Sequence, residues 1–391
     1  MKLIGIVAEY NPFHNGHAYQ LEEVKKLFPG EETCVVAIMS GNFTQRGEPA
    51  IVDKYQRTRA ALIGGVDAVV ELPISYALSS AEGFASGAVS IARSLGLDGI
   101  SYGCEANDEE QKAIKIIASV LANEPYAYAS LLKGYLKEGN SYPVARMNAL
   151  IDYFNNIEEK LDWDVSAIVS KPNNILAIEY EKAVLADEGK TLATYPIKRK
   201  GEGYHESGSL IREATFNGDD VLARKLMPAS TIENLEHIVS LDDFSELLFY
   251  KLLMMDENQL TEFLDVNEEI ASRIKKYEKK ASSFSELVDM ASTKNYTMTR
   301  IRRCLMHILL EMKGKSPRQE FARVLGFRKD SPVLRELKKR SELPMITKLA
   351  DAPKDAYIID EKATSVYNQV VKTKWKFEPA GEYHAGPIIL S

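Results

Sequence analysis

The chain has 391 residues, 45% hydrophobic and 27% charged, with a formal net charge of −7. That length exceeds one small core and predicts two or three domains, and the ordinary composition is that of a globular chain. The acidic balance excludes a generally basic nucleic-acid coat but leaves room for a local basic surface. Cys34, Cys104 and Cys304 are odd in number and widely spaced, so they give neither a disulfide framework nor a Cys-based zinc site. No apolar run is long enough to span a bilayer. Strand-like sequence starts at Leu3 with no leader pattern before it, which predicts a cytoplasmic location.

Leu3–Ala8 reads as a buried strand and Gly16–Leu27 as a helix. Between them lies Asn11-Pro12-Phe13-His14-Asn15-Gly16-His17. A strand-to-helix junction offers unpaired backbone N–H groups and the positive end of a helix dipole, which suits an anionic ligand. Gly16 lets backbone approach that ligand closely. His14 and His17, three apart, share a face of the first turn and are candidates to donate to phosphate oxygens as charge develops.

Cys34–Met39 predicts a second strand, followed by the polar loop Ser40-Gly41-Asn42-Phe43-Thr44-Gln45-Arg46-Gly47-Glu48-Pro49-Ala50. Placed at a strand end, this loop either recognises a second substrate through Gln45 or Arg46 or is an ordinary surface loop. Tyr55–Gly64 reads as helix. Lys54 and Arg57, cations in an unfavourable place for the dipole, face either phosphates or solvent. Val66–Leu72 and Gly99–Tyr102 read as strands around the helix Ala81–Leu95, with Gly103 at a strand end. Short apolar strands alternating with helices predict an α/β chain built on a Rossmann-like parallel sheet, with ligands at the strand carboxyl ends.

Asn107–Trp163 reads as mostly helical. A last αβ unit follows, with helix Asn174–Ala186 and strand Thr191–Lys198. Asn173-Asn174 is a helix cap or a ligand contact, and Ile197-Lys198-Arg199 ends the strand. Ser207-Gly208-Ser209-Leu210-Ile211-Arg212 puts two hydroxyls and a guanidinium at a helix start, donors suited to phosphate, with His205 close by. After Met227-Pro228 helical patterns dominate: Asp242–Met255, Asn267–Tyr277, Phe284–Ala291 and Thr299–Met312. Residues 1–228 are therefore expected to form the catalytic domain and 229–391 a mainly helical C-terminal one. From Lys294 to Arg340 there are 14 Lys and Arg against 4 Asp and Glu, a basic field suited to RNA. Its main contributors include Arg300, Arg302, Arg303, Arg318, Arg323, Arg328, Lys329 and Arg340. No His/Asp/Glu cluster predicts a protein-bound metal, and Mg²⁺ would need only phosphates and one or two carboxylates.

The His-x-Gly-His turn resembles the signature of the nucleotidyltransferase superfamily, and Ser207-to-Arg212 resembles the Ser-x-x-x-Arg element that closes a triphosphate site there. End to end the chain is similar to the bacterial tRNA(Met) cytidine acetate ligase family. The resemblance rests on Glu9-Tyr10-Asn11-Pro12-Phe13-His14-Asn15-Gly16-His17, Ser40-Gly41-Asn42-Phe43, Gln45 to Ala50, Pro172-Asn173-Asn174-Ile175-Leu176, Ile197-Lys198-Arg199, Thr299-Arg300 with His307 to Leu310, and Arg323-Val324-Leu325-Gly326-Phe327. It implies a nucleotidyltransferase-type sheet and a two-step reaction: ATP activates acetate as acetyl-adenylate, and acetyl passes to N4 of the wobble cytidine (position 34) of elongator tRNA(Met). It also implies ATP contacts at Val7-Ala8-Glu9-Tyr10-Asn11-Pro12-Phe13-His14-Asn15-Gly16-His17-Ala18-Tyr19-Gln20, at Gly103, at Asn174 or its neighbour Asn173, and at Arg199. Ser207, Ser209 and Arg212 would complete the phosphate cradle, Gln45 and Arg46 would meet acetate or tRNA, and Arg300, Arg302, Arg303, Arg328 and Lys329 would bind tRNA. Two alternatives are a small-molecule adenylyltransferase and a non-catalytic RNA-binding protein that retains the nucleotide fold.

Overall fold

The computed structural model describes residues 1–156, 163–186, 192–199, 207–314, 320–353 and 355–391. His205 and Arg318 therefore lie outside the described residues, as does the side chain of Ser207. The sheet runs in the order β5-β4-β1-β2-β3-β6-β7, with β8 also pairing to β6. The strands are β1 Lys2–Ala8, β2 Thr33–Ser40, β3 Ala68–Leu72, β4 Gly99–Cys104, β5 Ala193–Lys198, β6 Ala322–Arg328, β7 Met345–Ile346 and β8 Ile388–Leu390.

β1 through β5 are mutually parallel where they pair. Their near-continuous Val, Ile, Leu and Ala content follows from burial on both faces: Val35 to Met39 are fully buried. The chain order reverses between β1 and β4, which creates the crevice where ligands settle in open α/β sheets. The first four of these strands and the helices Asn15–Lys26, Lys54–Ile63 and Ala81–Ser94 fall within a residue or two of the sequence expectation. So do the later helices Glu268–Tyr277 and Phe284–Ala291, while Met298–Leu309 ends three residues before the expected Met312.

The sheet is mixed rather than purely parallel. β6, from the helical C-terminal half, lies antiparallel to β3, pairing Ala68 with Phe327 and Val69 with Gly326. β8 then runs parallel to β6. The sheet thus draws chain from both sides of position 228. Above it, the C-terminal helices share a core with the N-terminal half: Phe43, Ile74 and Leu78 pack with Phe244, Leu248, Leu305 and Tyr367.

Lys54 and Arg57 meet neither phosphate nor solvent. Both are buried, and each answers a specific need. Arg57 donates from Nη1 to the carbonyls of Glu9 at 2.6 Å and Ser40 at 3.1 Å, from Nε to Val52 at 3.2 Å, and from Nη2 to Gly41. It satisfies carbonyl groups that the ends of β1 and β2 and the following loop leave unpaired. Lys54 Nζ lies 2.8 Å from Glu71 Oε1, 2.5 Å from Glu382 Oε1 and 2.9 Å from the Tyr357 hydroxyl. Burial pulls its pKa down, but the two carboxylates outweigh that and raise it. Arg323, expected in a basic surface field, is likewise buried, 3.8 Å from Glu382.

Candidate active site

A cleft opens at the carboxyl ends of β1, β4 and β5. It is lined by Glu9, His14, His17, Gln20, Gln45, Arg46, Gly103, Asn173, Arg199, Ser209 and Arg212, among others. The sequence expected most of these at one site, and they converge there.

The two histidines are organised by the helix they begin. Ordinarily a Ser or Asp caps a helix. Here His14 is the N-cap of Asn15–Lys26, and its Nδ1 accepts from the Gly16 N–H at 3.1 Å. His17 reciprocates as in a capping box, its Nδ1 accepting from the His14 N–H at 3.2 Å. Both Nδ1 atoms are acceptors, so the single ring proton of each neutral imidazole sits on Nε2. The rings stack with centroids 3.7 Å apart.

A second proton on either ring would eject a cap and add positive charge beside Arg199. Burial, reinforced by Arg199 and Arg212, holds the His14 pKa down to about 3. Burial, then His14 and Arg199, pushes His17 well below the usual imidazole range. The pair is therefore two neutral N–H donors at physiological pH, suited to developing charge on phosphate oxygens.

Three cationic elements surround the histidines. Arg212, on the helix Ser207–Phe216, donates from Nη1 to the Asn11 carbonyl at 2.9 Å and from Nη2 to Ser209 Oγ at 3.4 Å. Arg199 follows β5; its N–H donates to the Cys104 carbonyl at 3.0 Å and its Nη1 to Asn173 Oδ1 at 3.3 Å. Arg46 projects from the loop between β2 and the helix Lys54–Ile63.

That loop is held rather than loose. Asn42 Oδ1 accepts from the Lys54 N–H at 2.8 Å, Asn11 Oδ1 from the Ile51 N–H at 2.8 Å, and the Ala50 carbonyl from the Tyr367 hydroxyl at 2.9 Å. Gly47 adopts φ +78°, and a Cβ there would come within 2.6 Å of the Arg303 nitrogen, so only glycine lets the loop dock on the helix Met298–Leu309. Glu48 pairs with Arg302 and lies 3.6 Å from Arg212.

Asn173 and Asn174 are set apart by helix phase. Asn173 lines the cleft, with Nδ2 donating to Glu105 and Oδ1 accepting from Arg199. Asn174 is fully buried behind it, and its Oδ1 accepts from the Glu105 N–H at 2.9 Å. Phe13, Asn15 and Ala18 also stay off the cleft wall; Phe13 is fully buried, and Asn15 Nδ2 donates to the Lys225 carbonyl at 3.0 Å. Val7, Ala8, Tyr10, Asn11, Pro12, Gly16 and Tyr19 lie on the wall.

The basic C-terminal residues divide between two edges of the sheet. Arg302 and Arg303 abut the Gly47 loop beside the cleft, and Arg300 precedes them on the same helix. Arg328 ends β6, its N–H donating to the Asp67 carbonyl at the amino end of β3, and the Lys329 N–H donates to the Leu390 carbonyl. Arg340 pairs with Asp98 at 2.9 Å, before β4. These last three lie at the edge opposite the cleft. Arg328 is also paired with Asp330 at 2.8 Å.

Sequence reasoning missed Phe84, Tyr102, Leu176 and Tyr180, which form an apolar wall of the cleft. Their apolar spacing is that of ordinary core residues, so nothing local distinguished them. Among the described residues no group of three or more His, Cys, Asp or Glu side chains is placed to hold a metal, and no helix is long and apolar enough to cross a membrane.

The family model described as HIGH Nucleotidyl Transferase matches residues 1–381. The tRNA(Met) cytidine acetate ligase of Clostridium acetobutylicum is 38% identical, over all of both chains. That of Thermoanaerobacter sp. is 41% identical, covering 90% of this chain and 89% of its own. Among solved structures, Thermotoga maritima TmcAL bound with alpha-thio ATP superposes with a TM-score of 0.90 at 29% identity, covering both chains fully. The apo form of the same protein gives 0.90 at 28%.

Proposed function

Because this chain belongs to the tRNA(Met) cytidine acetate ligase family, within the HIGH nucleotidyltransferases, we propose that it performs that family's reaction on ATP, acetate and elongator tRNA(Met). The observation that carries this reading is the convergence of two neutral imidazoles with Arg199 and Arg212 at one strand-end cleft.

Acetate is inert toward amines until one of its oxygens becomes part of a good leaving group. ATP bound along the β1 turn presents its α-phosphorus to the acetate oxygen. Attack there releases pyrophosphate and leaves acetyl-adenylate. The Nε2–H groups of His14 and His17 donate to phosphate oxygens whose charge grows in the transition state, and Arg199, Arg212 and Ser209 position the triphosphate. Asn173, rather than Asn174, contacts the nucleotide. Mg²⁺ accompanying ATP would be held by the phosphate oxygens and would offset part of their charge. The wobble cytidine then leaves its stack and enters the cleft, where its N4 takes the acetyl group and AMP departs.

The tRNA approaches over Arg46, Arg300, Arg302 and Arg303, which border the cleft; Arg328 and Lys329 would meet only a body of RNA wrapping to the far edge. The apolar wall of Phe84, Leu176 and Tyr180 suits a methyl group or a flipped base. A reaction on ATP and tRNA belongs to the cytoplasm.

Incubation with labelled acetate, ATP and bulk tRNA tests the proposal. Label fixed in tRNA, with AMP formed, supports it. Acetate-independent adenylylation of a small molecule would favour an ordinary adenylyltransferase instead.

A further inference from the structure

Among the described residues two carboxylates line the cleft, Glu9 and Glu48, and they are employed differently. Glu48 is occupied by Arg302 and Arg212. Glu9 stands at the carboxyl end of β1, and its Oε1 accepts from the Gln45 N–H at 2.7 Å. Its main chain is fixed independently, since Arg57 holds its carbonyl at 2.6 Å. A carboxylate oriented by a backbone donor, on the wall of the cleft, has the form of a proton acceptor.

Resting on the function proposed above, we infer that Glu9 is the general base of the second half-reaction, accepting the proton that the cytidine N4 loses as it is acetylated. The cytosine amino group is a poor nucleophile, because its lone pair is delocalised into the ring. As N4 attacks the acetyl carbonyl carbon, a C–N bond forms and the nitrogen acquires positive charge. The C–O bond to the adenylate phosphate breaks, and AMP leaves with that electron pair. One N4 proton passes to the Glu9 carboxylate and then to solvent, so no oxidant or further reactant is needed.

The surroundings agree with this role. Burial raises the Glu9 pKa, against the opposing pull of the Gln45 N–H, Arg46 and Arg212, while Glu48 adds to the rise. A stronger carboxylate base results, held next to the cationic border over which RNA would enter. The neutral histidines are poor candidates for the same task, because burial and Arg199 resist a second ring proton.

The test separates the two half-reactions in Glu9→Gln and Glu9→Asp proteins. Acid-quenched reactions report bound acetyl-[³²P]adenylate, and the same reactions with tRNA report N4-acetylcytidine. In E9Q the ratio of transfer rate to adenylate formed should fall on the order of a hundredfold, so that acetyl-adenylate accumulates in the presence of tRNA. E9D, which keeps the base but shortens its reach, should recover part of that ratio, and it decides the matter if E9Q does not fold. An unchanged ratio, or equal loss of both steps in both variants, would overturn the assignment of Glu9 alone. Absence of acetate-dependent adenylate in the unsubstituted protein would instead remove the proposed function, and this inference with it.

Discussion

Arg212 Nη1 donates to the carbonyl of Asn11 at 2.9 Å, joining the helix Ser207–Phe216 to the turn that carries His14 and His17. Two segments remote from each other in the chain thereby meet at one cleft. The guanidinium both fixes the turn and supplies charge to it. Replacing Arg212 with Ala should raise the KM for ATP on the order of tenfold to a hundredfold, as expected when a charge-assisted hydrogen bond is removed. Lysine should recover only part, since a single ammonium cannot hold Asn11 and a phosphate together. Acetate-dependent ATP–pyrophosphate exchange measures both, and an unaltered KM in R212A would remove Arg212 from the cradle.

The histidines should act as neutral donors. His14→Ala or His17→Ala should slow adenylate formation about a hundredfold or more. Because His14 titrates near 3, the exchange rate should show no imidazole step in the range of about pH 6 to 8 where an ordinary histidine titrates. A step near 6.5 that vanished in the His14 variant would refute the neutral assignment.

The same shift has a stability consequence. As pH falls from about 6.5 toward 3, the unfolded chain gains a proton at His14 that the folded chain refuses, so folding weakens across that window and is unaffected above it. The slope from this one group is at most about 1.4 kcal/mol per pH unit. Urea titrations at about pH 7 and about pH 5, on either side of the ordinary imidazole pKa, should show a smaller decline in His14→Gln than in the parent. Equal declines would mean that His14 does not contribute.

Lys54→Met should destabilise the fold by about 3–5 kcal/mol, because Glu71 and Glu382 would stay buried without their cation. Chemical denaturation reads this directly. A decrease below about 1 kcal/mol would show that water or a rearrangement replaces the ammonium.

Neutralising Arg300, Arg302 and Arg303 together should weaken tRNA binding and flatten its salt dependence by about 0.7–0.9 log unit for each phosphate no longer neutralised. Replacing Arg328 and Lys329, on the opposite edge, should have the smaller effect. Filter binding across a range of KCl concentrations separates the two sets, and the reverse ranking would move the RNA to the far side of the sheet.

These residues also mark where the sequence was transparent. β1 to β4 and the histidine turn were legible because unbroken apolar runs and a His-x-Gly-His spacing are local features. β6 was not. Its Ala322–Arg328 stretch carries Arg323, and it sits among helices and basic residues that hid a seven-residue strand. Lys54 and Arg57 looked like surface or ligand-facing cations because the Glu382 and strand-end carbonyls that justify their burial are remote in sequence or recognisable only in three dimensions. Asn173 on the cleft and Asn174 behind it differ by about 100° of helical rotation, finer than any pattern of residue types reveals.

Glu382 and Tyr367, which secure Lys54 and Ala50, are made late in synthesis. A nascent chain still threaded through the ribosomal exit tunnel already carries its histidine turn, while the neighbouring loop is without these two anchors. The cleft is therefore finished only when translation is nearly over, and a stop codon between positions 367 and 382 should keep every residue of the nucleotide cradle in the chain yet leave Lys54 without one of its two carboxylates.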